Sequence, residues 1–98
     1  MNDFNHQQID DILHSRIRLA VIAALVSVDN AEFIFLKDVV KTTDGNLSTH
    51  LKKLEDAGYI VSKKRFVNKK PLTKYKITEK GKHALENYVD TLEKFLKR

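Results

Sequence analysis

The sequence predicts an α+β fold that is mainly helical, in which a helix-turn-helix precedes a small antiparallel sheet and a last helix. Apolar residues recur at helical spacing in residues 16–28 and 44–57. Residues 59–67 and 72–77 are rich in β-branched and aromatic side chains and flank a basic turn, as in a hairpin. With 98 residues and no tract that resembles a linker, residues 1–98 are expected to form a single domain.

The amino-terminal part is predicted to supply one core helix and three short elements. Residues 5–13 have a small apolar face and are interpreted as a weak helix. Ser15 has the chemistry of an N-cap for a helix over residues 16–28, which is apolar almost all round and therefore lies in the core or at a dimer interface. Residues 32–35 are interpreted as a small strand and residues 36–40 as a short helix.

The helix predicted over residues 44–57 separates apolar from polar side chains. At about 100° per residue, Leu47, Leu51 and Leu54 fall on one stripe. Residues 42–44, TTD, supply capping groups for its start, and Gly58 is the expected stop at its C-terminal end. Because only a few residues separate this helix from the one before it, the pair has the spacing of a helix-turn-helix.

The polar face of that helix has residue types suited to a nucleic-acid duplex, whose major groove is about 12 Å wide. Short hydrogen-bonding side chains at its start can approach base edges, and lysines one turn later can reach phosphates. The alternative is an ordinary solvated helix face. His50 lies nearer the leucine stripe and is interpreted as a half-buried packing residue. The expected contact residues are Asp44, Gly45, Asn46, Ser48, Thr49, Lys52 and Lys53.

Positive charge is concentrated in the second half of the chain. Residues 1–51 carry seven acidic and four basic side chains, whereas residues 52–78 carry nine basic and two acidic ones. Seven of the basic residues lie between positions 63 and 76, around the turn predicted at residues 68–71. A localised basic face is typical of phosphate binding, although lysines also keep surfaces soluble and protect sheet edges. The expected contacts are Lys63, Lys64, Arg65, Asn68, Lys69 and Lys70.

The last helix, predicted over residues 79–98 after Thr78, carries an apolar face with helical spacing. A helix of that length spans about 30 Å, which is longer than the small core beneath it. We therefore expect it to contact a second subunit with help from the amino-terminal segment, although packing on its own core is the alternative. The expected dimerisation residues are Ile9, Ile12, Leu13, Leu85, Tyr88, Leu92 and Phe95.

Other function classes lack support in the sequence. The absence of cysteine excludes disulfides, thiol switches and thiolate metal sites. The four histidines are scattered, and no catalytic constellation or glycine-rich phosphate loop is present, so no enzyme activity, metal or cofactor is expected. No segment approaches the ~18 apolar residues of a membrane span, and the polar, acidic N-terminus is unlike a signal peptide. No membrane partner and a cytoplasmic location are expected.

Three segments together resemble winged-helix transcriptional regulators. Residues 47–60, LSTHLKKLEDAGYI, are similar to the recognition-helix signature of that family. Residues 75–81, YKITEKG, resemble its strand-to-helix junction after the wing, and residues 14–22, HSRIRLAVI, resemble its opening helix. The subgroup that the chain most resembles is the compact prokaryotic one of the MarR/ArsR-like superfamily, with residues 12–78 as the winged-helix core and residues 79–98 as a terminal dimerisation helix.

The resemblance implies a homodimer that binds a pseudo-palindromic site in double-stranded DNA and usually represses transcription. It assigns DNA contacts to Asn46, Ser48, Thr49, Lys52 and Lys53 on the helix and to Arg65, Lys69 and Lys70 on the wing. The ligand set of metal sensors and the longer helical frame of larger members are absent, so any small-molecule effector is unknown.

Two further functions remain as alternatives at this stage. One is a module of the same fold that binds protein or RNA without specific DNA readout. The other is a small-molecule sensor with a pocket near Phe33, Phe35 and Tyr88, three aromatic residues that are otherwise interpreted as core.

Overall fold

A computed structural model describes residues 5–97 and contains four α-helices and a three-stranded sheet in that range. The predicted domain, residues 1–98, also includes residues 1–4 and 98, which lie outside the described part. A short 3₁₀ helix comes first, followed by the main elements in chain order. These are α1 (Arg16–Val26), β1 (Ala31–Glu32), α2 (Phe33–Val40), α3 (Asp44–Asp56), β2 (Ile60–Val67), β3 (Lys70–Ile77) and α4 (Glu79–Leu96).

Hydroxyl side chains begin three of the four helices, as the sequence predicted. The Oγ atoms of Ser15, Thr43 and Thr78 accept hydrogen bonds from the backbone N–H groups three residues later, at the starts of α1, α3 and α4. Each cap satisfies one backbone donor that the helix itself leaves unpaired, which is typically worth about 1 kcal/mol.

The hydrophobic core joins the helices to the base of the sheet. Burial of each large aliphatic side chain in it contributes about 1.5–3 kcal/mol. The predicted leucine stripe of α3 is confirmed, because Leu47, Leu51 and Leu54 are fully or almost fully buried. The other members with no more than 1% exposure are Leu13, Val21, Ile22, Leu25, Leu36 and Ile60.

The sheet is antiparallel and has the strand order β1-β3-β2, so β3 is its central strand. β1 is only two residues long and pairs with Lys74 and Tyr75 near the base of the hairpin. β2 and β3 pair in register from Ile60↔Ile77 to Val67↔Lys70, and from Lys64↔Thr73 to the turn they form a two-stranded hairpin.

The hairpin turn is shorter than predicted. It contains Asn68 and Lys69 alone, with φ of 53° and 65°. Lys70 and Pro71 belong to β3, where Pro71 pairs with Phe66. Positive φ at both central residues gives the turn the backbone of type I′, which matches the twist of hairpin strands.

Two other predictions in the first half are wrong. Residues 33–35 belong to α2 rather than to a strand, because Phe33 and Leu36 share the face of one longer helix that packs on the core. Residues 5–13 contain only a 3₁₀ turn, His6–Gln8. Beyond it, Oδ1 of Asp10 accepts hydrogen bonds from the backbone N–H groups of Ile12 and Leu13, and this local bonding competes with a helix.

Candidate nucleic-acid interface

The outward face of α3 is polar because its leucines face the core. Beyond the Thr43 cap, every one of the seven predicted contact residues on α3 is exposed to solvent. Asn46, Ser48 and Thr49 lie in the first two turns, and Lys52 and Lys53 follow one turn later. The arrangement presents small hydrogen-bonding groups at the positive N-terminal end of the helix and two cations farther along it.

An ion pair fixes the turn between α2 and α3. Nζ of Lys37 lies 2.7 Å from Oδ1 of Asp44, the first residue of α3. Lys41, between the two helices, has a φ of 58° and donates its backbone N–H to the carbonyl of Lys37. The Asp44 carboxylate therefore has a partner within the protein and a favourable place at a helix N-terminus, and it is a positioning group for α3.

His50 is half-buried, in the position that the sequence predicted. Its Nδ1 lies 2.9 Å from a guanidinium nitrogen of Arg18 on α1. Burial lowers the pKa of His50 below its usual 6.5, and the positive charges of Arg18 and Lys53 lower it further. No pattern in the sequence indicates this contact, because Arg18 is 32 residues away along the chain.

The hairpin has two chemically different faces, which follow from its register and from the alternation of side chains in strands. The face that continues from the core carries Ser62, Lys64 and Phe66 on β2. The opposite face, which we call the outer face, carries Lys63 and Arg65 on β2. On β3, the outer face carries Lys70, Leu72, Lys74 and Lys76. The predicted basic residues therefore do not form one surface.

A hydrogen bond from β2 holds the hairpin relative to α3. Oγ of Ser62 donates a hydrogen bond of 2.8 Å to Oε2 of Glu55 on α3. Tyr75, which pairs with Ser62, lies near the same carboxylate. Burial raises the pKa of Tyr75, and the negative charge of Glu55 raises it further. Neither Glu55 nor Ser62 was singled out from the sequence, since they are seven residues apart and on different elements.

Hydrogen bonds connect the junction before α4 to Gly58 and Tyr59. Oγ1 of Thr78 donates to the carbonyl of Gly58 at 2.7 Å and accepts from the backbone N–H of Gly81 at 3.0 Å. The backbone N–H of Thr78 donates to the carbonyl of Tyr59 at 3.0 Å. The hydroxyl of Tyr59 donates to Asp10, and burial together with this bond and charge raises the pKa of Tyr59 to about 12.

The residues predicted for dimerisation divide into two groups. Leu13 and Tyr88 are buried within the chain itself, and Oη of Tyr88 lies 3.2 Å from Nδ1 of His14. Ile9, Ile12, Leu85 and Leu92 are half-buried against the core, and Phe95 is exposed. Val89 and Leu96, which the prediction did not include, are 43% and 77% exposed and extend the apolar stripe of α4.

The described residues, 5–97, include no group of three or more potential metal ligands. Within the same range, no helix combines the length and apolarity that crossing a membrane requires. Phe33 packs against the core, whereas Phe35 is exposed, so the interpretation of Phe35 as a core residue is wrong.

Comparison with known proteins identifies the family. A family model described as winged helix DNA-binding domain matches residues 17–96. An uncharacterized protein from Methanocaldococcus jannaschii is 41% identical over 78 residues, which cover 80% of this chain and 85% of the relative.

Solved structures share the fold. A transcriptional regulator homologue protein from Pyrococcus horikoshii OT3 superposes with a TM-score of 0.80 and 27% identity, covering 87% of this chain and 84% of the other. A MarR-family transcriptional regulator from Silicibacter pomeroyi gives a TM-score of 0.70 at 15% identity, over 95% of this chain and 62% of the other, and therefore supports the fold alone.

The chain belongs to the winged helix DNA-binding domain family. The class that the resemblance indicated, a compact winged-helix regulator of transcription, is confirmed, as is the α+β winged-helix fold. In the terms of that fold, α2 and α3 are the helix-turn-helix, and the β2–β3 hairpin is the wing.

Proposed function

We propose that the protein is a homodimeric, sequence-specific repressor that acts by occupying its operator. The observation that carries this proposal is the exposed polar face of α3. The apolar stripe of the same helix is buried in the core. A helix held in this way, with Asn46 and Thr49 near its N-terminus, has the dimensions and chemistry of a major-groove reader. Bound there, it would block other proteins from the same DNA.

Electrostatics supports DNA as the partner. Exposed cations lie on both elements, Lys52 and Lys53 on α3 and Lys69 and Lys70 at the tip of the wing, and we expect them to contact phosphates. Each phosphate neutralised would release counterions, so affinity should fall steeply with salt. A cytoplasmic location, where bacterial or archaeal DNA is found, is part of the proposal.

The dimer is proposed from α4. Leu85, Val89, Leu92 and Leu96 recur at intervals of three and four residues and form one stripe, the pattern of a helix that pairs with another. Two copies related by a two-fold axis would place their α3 helices in successive major grooves, about 34 Å apart. The matched Pyrococcus horikoshii structure, described as a transcriptional regulator homologue, supports the regulatory role.

The test is selection of bound duplexes from a random pool, followed by sequencing. The expected result is a motif with two-fold symmetry whose half-sites lie about 10 base pairs apart. An asymmetric or single half-site would contradict the dimeric mode. If the protein binds no duplex at low salt but binds RNA or an acidic protein, the alternative is favoured. That alternative is an interaction module of the same fold without specific DNA readout.

Placement of the selected site upstream of a reporter tests the direction of regulation. Occupancy of a site that overlaps the promoter should lower transcription in proportion to the fraction bound. Transcription that rises with occupancy would overturn the repressor assignment while leaving DNA binding intact.

A further inference from the structure

The outer face of the wing contains a basic hollow on the side of the sheet away from α3. The hollow has a volume of about 340 Å³, within the range of small-molecule sites. Its lining is Asn30, Val61, Lys63, Arg65, Lys74 and Lys76. Because Ser62 on the other face of β2 bonds to Glu55 of α3, the hollow and α3 lie on opposite sides of the sheet.

Like charges lie opposite each other in this hollow, with the carboxylate of Glu32 across from Lys74 on the other side. Lys63 and Lys74 are directly opposite each other in the β2–β3 register, where cross-strand Cβ atoms are about 4.5–5.5 Å apart. Within residues 5–97, none of the four cations that line the hollow forms an ion pair within 4.0 Å. Such a pair destabilises a hairpin, so its placement calls for an anionic partner.

Edge protection can account for Lys63 and Arg65, which are on the edge strand β2, but not for Lys74. Lysines discourage aggregation when they lie on the edge strand of a sheet. Lys74 is on the central strand, paired with Glu32 of β1 on one side and with Lys63 of β2 on the other. At this point β3 has no free edge to protect, and the positive charge of its lysine serves another purpose.

We propose that the hollow is a binding site for a small molecule that carries two or more adjoining phosphate groups. The planar guanidinium of Arg65 can donate two hydrogen bonds to one phosphate, and the three lysines supply compact charges around it. The amide of Asn30 adds a neutral donor. No aromatic side chain is among the lining residues, so recognition is directed at the phosphates and not at a stacked base.

Glu32 marks one border of the site. It is on the same face as Lys74, its partner in the register, and its side chain is half-buried. Its carboxylate would repel an anion that binds in the hollow, and it limits the positively charged surface on that side. Replacement of Glu32 by glutamine should therefore strengthen binding, a gain that a purely structural role for this residue does not predict.

The test is calorimetric titration of the whole protein with inorganic pyrophosphate at low salt. One equivalent per chain should bind saturably. The K63Q/K74Q variant should bind at least about tenfold more weakly, because it removes two of the four cations that line the hollow. This variant also removes the repulsion between the two lysines, so it should fold at least as stably as the wild type, which thermal melting checks.

The matched control is K64Q/K69Q, which removes the same charge from the other face of β2 and from the turn. It should change pyrophosphate affinity by less than about threefold, since only screened long-range attraction is lost. If both variants bind pyrophosphate equally weakly, the attraction is diffuse and the proposed site is wrong. Binding that does not saturate would lead to the same conclusion. If pyrophosphate fails to bind but K63Q/K74Q weakens binding of a duplex, the face takes nucleic-acid backbone and the proposal is wrong. DNA binding is not needed for the pyrophosphate measurement, so the two proposals fail separately.

Discussion

Arg18 of α1 bonds to His50 of α3, with 2.9 Å between a guanidinium nitrogen and the imidazole Nδ1. Since arginine only donates, Nδ1 accepts and the imidazole proton is on Nε2. The same guanidinium donates to the backbone carbonyl of Ile12 at 2.6 Å and to that of Asp11 at 3.4 Å. One side chain therefore ties the amino-terminal segment to the helix proposed to enter DNA.

Protonation of His50 should break this tie and lower stability in acid. Burial and the two neighbouring cations lower the pKa of His50 in the folded protein, so the unfolded chain binds more protons between that lowered value and 6.5. Stability from this source is complete above about pH 6.5 and is lost as the pH falls toward the folded-state pKa. Urea unfolding measured between about pH 8 and pH 5 checks this.

The control for the pH effect uses two histidine variants. H50Q should lose part of the pH dependence, whereas H83Q, which changes an exposed histidine of α4, should keep it. Identical pH profiles for H50Q and the wild type would show that the Arg18–His50 contact does not link proton uptake to folding.

Lys69 occupies a backbone position that normally favours glycine. We predict that K69G has opposite effects on stability, which depends on backbone strain, and on DNA binding, which depends on the lysine charge. Its φ of 65° strains any residue with a Cβ atom by about 1–2 kcal/mol, so K69G should stabilise the protein. Loss of the tip charge should weaken binding to all duplexes and reduce the slope of affinity against salt by about 0.9 per lost phosphate contact. Stability comes from urea unfolding and the slope from fluorescence anisotropy.

The control is K69A, which removes the same charge but keeps the strained conformation. K69A and K69G should bind DNA equally weakly and differ in stability. A wild-type salt slope in both would exclude the tip of the wing from the interface.

Asn46 and Thr49 should determine which DNA sequence is bound. The N46A/T49A variant is expected to lose about 1–3 kcal/mol of discrimination at the base pairs it contacts while its non-specific affinity changes little. The matched variant K52Q/K53Q should weaken all sequences alike, because lysines contact phosphates. Both are measured by competition between selected and random duplexes. Unchanged discrimination in N46A/T49A would show that these residues do not read bases.

The parts of the fold set by local chemistry were predictable from the sequence. Thr43, Leu47, Leu51, Leu54 and Gly58 define the start, buried face and end of α3, and each acts through its own backbone or its own helix. The same holds for the cap of α4. Periodicity and capping rules describe such short-range effects well.

The wrong predictions arose where tertiary packing overrides the local preference of the residues, which the sequence pattern alone does not show. Phe33, Ile34 and Phe35 have the residue types of a strand, but burial of Phe33 and Leu36 against the core favours helix. A turn shortened to Asn68–Lys69 shifted the register of the hairpin by two residues, which keeps each side chain on its face but brings Lys63 directly opposite Lys74. The contacts of Arg18 and Glu55 depend on tertiary packing alone.

Gly81 should be intolerant of any side chain. A methyl group at Gly81 would overlap the carbonyl oxygen of Tyr59 and lie 2.9 Å from Cγ1 of Ile77, and both atoms belong to packed structure. We predict that G81A destabilises the protein by about 1–3 kcal/mol despite the better helix propensity of alanine. Gly45 is the control, since a methyl group there meets nothing within 4 Å. G45A should be neutral or stabilising by up to about 1 kcal/mol, and equal losses for the two variants would contradict the packing argument.

The exposed stripe of α4 should hold the dimer together. Val89 and Leu96 are 43% and 77% exposed in the single chain and lie seven residues apart on one side of the helix. The V89E/L96E variant would place two charges in an apolar interface, so it should sediment as a monomer and bind the selected operator with the affinity of a half-site. V39E, which changes a similarly exposed valine on α2, should remain dimeric. If the wild type and V89E/L96E both sediment as dimers, the interface lies elsewhere. If the wild type sediments as a monomer, the dimer is not part of the mechanism.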